Sequence, residues 1–136
     1  MPKSTNTCNS ILALIFNATA WADIAENDTS APAANLYVSL HTADPGVGGA
    51  QTTNETAYTN YARVAAARTN VGWSVPASGA TANAALVQFP QCGASGATIT
   101  HVAIGTASGG AGTVLYAGAL NSSLAVANLI QPQFAT

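Results

Sequence analysis

The chain has 136 residues, of which only 6% are charged and 49% hydrophobic, with three Lys or Arg, five Asp or Glu and a net charge of −2. An ordinary soluble domain carries about 25% charged residues, so this surface relies on Ser, Thr, Asn and Gln for solubility or is covered by other protein, and the weak net charge favours cover. Three cations are too few for the phosphate contacts of a nucleic-acid surface, and no apolar run approaches the length of a membrane-spanning helix.

The length fits one core. We read residues 1–35 as an N-terminal arm and helix and residues 36–136 as a single β-sandwich domain. Lys3, the six-residue apolar run Ile11–Phe16 and the small residues Ala18–Ala20 have the outline of a secretory leader, but the run is short and preceded by polar residues, so a helix is the better reading. Ser10 is expected to cap it, and Ile11, Leu14, Ile15, Ala18, Trp21 and Ala25 form its apolar face, ending near Ala25. Residues 26–32 then read as a linker.

Leu36–Thr42 alternates as a strand, with Leu36, Val38 and Leu40 on one side and Tyr37, Ser39 and His41 on the other. Ala43–Gly46 ends it, Asp44 capping the turn through its own carboxylate. Val47–Thr59 is polar, lacks a period and is expected to be an exposed loop or an edge excursion. Tyr61–Thr69 suits either helix or strand. Val71–Val75 around Trp73 reads as a short strand, stopped by Pro76–Gly79, and Ala84–Phe89 reads as another.

Ala97–Leu120 is the clearest passage: two β-rich runs joined by the glycine-rich stretch Gly105–Gly112, a hairpin with an open loop. Asn121–Ser123 is expected to turn the chain into a last run, Leu124–Ile130, with Leu124, Val126 and Ile130 facing the core and Phe134 tucking back as an anchor. Short strands punctuated by Gly, Pro and Asn give a mainly β chain, an antiparallel β-sandwich with an N-terminal helical segment.

Little in the pattern suggests chemistry. His41 with Asp44, and His101, read as structural, because no Ser, Cys or carboxylate stands at a recognised catalytic spacing. Asp23, Glu26 and Asp28 read as solvated or capping carboxylates rather than metal ligands. The glycine loops lack the Lys-Ser/Thr ending of a phosphate loop. Cys8 and Cys92 read as free thiols. No catalytic residue, metal or cofactor is expected. The candidate functional residues are interface anchors: Arg63 and Arg68 as partners for carboxylates, and Trp21, Tyr58, Trp73 and Phe134 as apolar contacts.

Leu36-Tyr-Val-Ser-Leu-His-Thr-Ala-Asp-Pro-Gly46, Asn54-Glu-Thr-Ala-Tyr58, Tyr61-Ala-Arg-Val64, Phe89-Pro90, Thr100-His-Val-Ala-Ile-Gly105 and Leu115-Tyr-Ala-Gly-Ala-Leu120, in that order, resemble small virion structural proteins of tailed bacteriophages. The resemblance implies a jelly-roll-like sandwich and a role in the particle without turnover. Its first reading is a capsid cement or decoration protein, a homo-oligomer such as a trimer on the outer capsid surface, bridging major capsid protein subunits. Its alternative is a tail-fibre or tail-tip protein with a host-recognition role, for which exposed aromatics near Val47–Thr59 or Gly105–Gly112 would be the signature.

Overall fold

The computed structural model describes residues 4–21, 24–25 and 32–136. Among these lie one helix, α1 (Thr5–Phe16), and six strands: β1 (Asn35–His41), β2 (Val64–Ala67), β3 (Val87–Gln88), β4 (Ala97–Gly105), β5 (Val114–Val126) and β6 (Gln133–Phe134). The strands form a four-stranded sheet ordered β2-β1-β4-β5 and a two-stranded sheet β3-β6. The β1–β4, β4–β5 and β3–β6 pairs are antiparallel. The fold is therefore mainly β and sandwich-like, while four plus two strands fall short of the eight of a jelly roll. The chain divides into two compact units, Met1–Asn35 with Ala66–Leu86 and Ala135–Thr136, and Leu36–Ala65 with Val87–Phe134.

In the first unit, the helix cap lies six residues before the expected Ser10. Ser4 has an extended backbone and its side chain accepts from the Thr7 N–H, filling one of the orphan donors of the first turn. It also ends early. Asn17 closes the last turn on the Ala13 carbonyl, and Ala18 then adopts φ +51°, a left-handed backbone that a helix cannot pass through. Trp21 and Ala25, expected on the helix face, instead exchange backbone hydrogen bonds with each other. The linker at 26–32 lies outside the described residues except for Pro32.

Arg68 completes the helix end. Its Nε and Nη2 donate to the carbonyls of Ile15 (2.6 Å) and Leu14 (2.7 Å), and Nη1 donates to Ala33 O (2.9 Å). A cation on the free carbonyls of a last turn satisfies both their hydrogen bonding and the helix dipole. Beside it, Phe16 packs edge to face on Trp73, centroids 4.7 Å apart, both rings buried. The expected strand at Val71–Val75 reduces to an isolated bridge between Trp73 and Asn83. Ser78 and Gly79, at φ +52° and +78°, make the mirror-image two-residue turn that joins Ala77 to Ala80.

In the second unit, β1 lies between β2 and β4. Leu36, Val38 and Leu40 are buried on one face, and so are Ser39 and His41 on the other. The segment at Tyr61–Thr69 resolves as strand β2. Val47–Thr59 is not an exposed loop: Gln51, Thr56 and Tyr58 are buried. Its backbone finds partners, Gln51 N–H to Gly112 O (2.8 Å) and Thr56 N–H to Leu40 O (2.9 Å), which removes the cost of burying it. Asp44 does cap its turn, accepting from Gly46 N–H at 2.8 Å.

The β4–β5 hairpin forms as expected, but Asn121–Ser123 does not turn the chain. β5 runs through it, and between the pairs Ile99↔Leu124 and His101↔Ala119 a single β4 residue stands opposite four β5 residues. The polar triplet is absorbed as a bulge because Leu124, Ala125 and Val126 keep pairing with Ile99, Thr98 and Ala97. Of the core-facing set expected after it, only Val126 is buried; Leu124 and Ile130 are exposed.

The expected strand Ala84–Phe89 shortens to β3, yet Phe134 packs back as an anchor, edge to face on Phe89 (6.2 Å). Phe89 also stacks on Tyr61, which meets Tyr58 edge to face. Both cysteines are free thiols. No described helix is long and apolar enough to cross a membrane.

Candidate functional site

The most constrained polar group in the second unit surrounds Arg63. The residue directly precedes β2, and Glu55 is brought to it by an isolated bridge between Glu55 and His41 at the end of β1. Arg63 Nε and Nη2 donate to Glu55 Oε1 and Oε2, both at 2.7 Å, a two-pronged pair whose side chains are 3% and 14% exposed. The remaining donors reach the glycine-rich loop between β4 and β5: Nη1 to Ala107 O (2.9 Å) and Nη2 to Gly110 O (2.7 Å). Tyr61 OH donates to Glu55 Oε1 (2.8 Å) and accepts from Leu40 N–H. The hydrogen bond to Glu55 raises the Arg63 pKa, and burial raises that of Tyr61 well above the usual phenol range.

Gln51 holds the same loop from below. Its Nε2 donates to Tyr37 O and its Oε1 accepts from Ala107 N–H (2.9 Å). A Cβ on Gly105 would lie 2.2 Å from Gln51 Cδ, so glycine is what admits this amide. Ion pair and amide together fix the loop at both ends while Gly109 and Gly110 stay exposed. Arg63, read from sequence as an outward contact, has its guanidinium occupied within its own unit.

Ser39 Oγ and His41 Nε2 are 2.9 Å apart, a nucleophile-and-base spacing, yet both residues are 0% exposed and no substrate reaches them. His41 Nδ1 faces the Thr53 carbonyl at 2.9 Å. A carbonyl only accepts, so the neutral ring carries its proton on Nδ1, and Nε2 accepts from Ser39. Burial holds the His41 pKa below 6.5, outweighing the Thr53 and Glu55 contributions that raise it. The unfolded chain therefore takes up this proton first as pH falls. The resulting stability is present above about pH 6.5 and is lost below it, at no more than about 1.4 kcal/mol per pH unit for one proton. Urea unfolding at stepped pH should show this slope in the native chain and a flatter one in His41→Asn, which keeps a donor for Thr53 O.

The other named anchors are also engaged. Tyr58 is buried, donates to Pro90 O at 2.8 Å, and has its phenol pushed up to about 12, chiefly by burial. Trp73 is buried against Phe16, Arg68 caps α1, Phe134 packs on Phe89, and Trp21 is half-buried. Asp44 caps its own turn, and His101 Nδ1 lies 2.8 Å from Thr100 Oγ1. Among the described residues no three metal-ligating side chains cluster. The loops Val47–Thr59 and Gly105–Gly112 contain one aromatic, Tyr58, which is buried, while Tyr116, four residues past Gly112 on β5, is exposed.

Exposed apolar side chains are spread over both units, Val71, Val75 and Leu86 in the first and Val47, Leu129 and Ile130 in the second, and they include Leu115, Tyr116 and Leu124 of β5. A groove of about 370 Å³ runs beside its start, lined by Asp44, Gly46, Val47, Val114, Leu115 and Ala117. Sequence reasoning missed Glu55 and Gln51. Glu55 had a readable signal: in a chain so poor in charge it is the last acidic residue, eight positions before Arg63.

The family model described as Podophage GP4 fiber I protein gp80 matches residues 2–136. No curated protein matches the chain.

Proposed function

We propose, from the premise that the chain belongs to the podophage GP4 fiber I protein family, that it is a structural subunit of a phage tail fibre. Membership of a fibre family over residues 2–136 carries this reading. It is consistent with a virion component and favours the tail over the outer capsid surface. The competing cement reading drew on Arg63 as a contact to the major capsid protein, and that guanidinium is committed to Glu55 and two loop carbonyls.

The subunit works mechanically, without turnover or cofactor. Its charge-poor exposed surface is suited to neighbours in an assembly, where many modest contacts act together. Partners are then other fibre subunits, including further copies of this chain. Arg63, Glu55 and Gln51 stiffen the Gly105–Gly112 loop so that its exposed tip is presented in one conformation.

Cryogenic electron microscopy of intact particles tests the assignment. Density matching the chain is expected at the tail fibres. Repeated density across the capsid lattice would restore the cement reading and reject this one.

A further inference from the structure

We propose that the groove beside the start of β5 is a docking site for a lysine side chain presented by another protein, its ammonium on Asp44 and its methylenes along Val114 and Leu115. This groove is independent of where in the virion the chain resides.

Asp44 is the uncommitted charge. Asp44 and Glu55 are the two carboxylate side chains among the described residues, and Glu55 is spent on Arg63 and Tyr61. Asp44 is exposed; its Oδ1 accepts from Gly46 N–H at 2.8 Å, and its Oδ2 has no donor among the described residues. The turn around it is held on both sides. Asn54 Nδ2 donates to the Asp44 carbonyl (2.8 Å), and Gly49 N–H donates to Gly46 O (3.2 Å). A bridge between Ala50 and Thr113 then ties this segment to the residue just before Val114. Both walls of the groove are therefore fixed before anything enters it.

β5 is shaped to complete it. Gly105 and Ile104 are neighbours on β4, yet they pair with Val114 and Tyr116, which leaves Leu115 as an extra residue. Val114 and Ala117 are three positions apart and would face opposite sides of an unbroken strand. The extra residue puts both on the face of Gly105 and Ala103, while Tyr116 shares the other with Ile104. Val114, Leu115 and Ala117 thus line one groove with Asp44, Gly46 and Val47. Apolar side chains are gathered opposite a single anion.

Charge selects the occupant. The described Arg side chains are spent, Arg63 on Glu55 and its loop, Arg68 on the end of α1, so the matching cation comes from outside them. Apolar walls suit a charge carried on a methylene stem, as in Lys and Arg. With one oxygen held by Gly46 N–H, Asp44 offers a single point of attachment, which fits an ammonium better than a two-pronged guanidinium. Val47 and Leu115 are exposed, so the groove is open and covers one side of a ligand only. A side chain mounted on another protein surface fits this shape; a free amine would need enclosure.

The test is NMR titration of the isotope-labelled full chain with acetyl-Val-Lys-Val-amide, its Arg and Gln counterparts, and n-butylamine. The Lys peptide is expected to shift the amide signals of residues 44–47 and 114–117 and to bind about fivefold tighter than the Gln peptide, as a partly exposed ion pair would give. It should also bind tighter than the Arg peptide and butylamine, and added salt should erode its advantage over Gln. Asp44→Asn keeps an acceptor for Gly46 N–H, so it should abolish the preference for Lys with the urea midpoint unchanged. Leu115→Ser should weaken the Lys and Gln peptides alike. Equal binding of these two peptides overturns the proposal, as does the absence of shifts at the groove or a Lys preference that survives Asp44→Asn. An Arg peptide that binds as tightly overturns the choice of lysine, and butylamine that binds as tightly overturns the choice of a protein partner. Self-association of the native chain in light scattering that both Lys3→Gln and Asp44→Asn abolish would make the occupant a second copy and overturn the outside partner. Placement of the chain on the capsid would refute the proposed function while leaving this result standing.

Discussion

Replacing Arg63 with methionine is expected to destabilise the protein by about 3–5 kcal/mol, the cost of stranding one partner of a buried ion pair. The side chain is 3% exposed, and its loss leaves Glu55 with only the Tyr61 hydroxyl among the hydrogen bonds around it. In urea, the unfolding midpoint should fall accordingly, with the slope unchanged. Arg63→Lys should recover only part of this, because an ammonium cannot grip both carboxylate oxygens and two loop carbonyls at once. The double variant Arg63→Met with Glu55→Gln should recover more than the lysine, since it removes the stranded charge. A loss under about 1 kcal/mol for Arg63→Met would show that the pair behaves like a surface ion pair, and the loop-pinning account would fall.

Phe89→Ala is the second large effect, at about 3–5 kcal/mol for a fully buried phenylalanine. Phe89 is 0% exposed and lies between two rings, stacked on Tyr61 at 6.3 Å and edge to face with Phe134 at 6.2 Å. The pairing of β3 with β6 involves only two residues on each strand, too few to hold by backbone hydrogen bonds alone. The aromatic row reinforces it, together with the backbone bonds from Phe89 N–H to Pro132 O and Cys92 N–H to Ile130 O that continue the contact. Phe134→Ala should cost less, because that ring is only half-buried. Equal losses for the two would mean that the row does not stabilise through burial of its centre.

Where one physical signal dominated locally, the sequence was readable. Alternation in Leu36–His41 placed β1, and glycine between two β-rich runs placed the β4–β5 hairpin. Phe134 returned to the core as its isolation beyond Pro132 suggested. What escaped depended on tertiary partners. The polar loop Val47–Thr59 is buried because Gly112 and Leu40 supply its hydrogen bonds, and nothing in its own composition records them. The helix was misplaced at both ends, because Ser4 rather than Ser10 caps its first turn and Ala18 turns left-handed well before Ala25. Arg63 and Arg68 looked like surface contacts because arginine usually is one, and each instead satisfies buried or orphaned carbonyls.

The bulge in β5 has a parity. Side chains along a strand alternate between faces, so an odd number of extra residues reverses the rhythm. The excess of three residues there puts Leu124 and Val126, at even positions, on the same face as Ala117 and Ala119, at odd ones. Deleting one of Ser122 and Ser123 leaves an even excess. The deletion also moves every later residue back by one position, so Leu124 and Val126 then fall on odd positions with Ala117 and Ala119 and keep their face without any reversal. Two small polar residues that touch little are thus slack in the strand: one can be lost with Val126 still facing inward, and circular dichroism and urea unfolding of the deletion variant should stay close to those of the native chain.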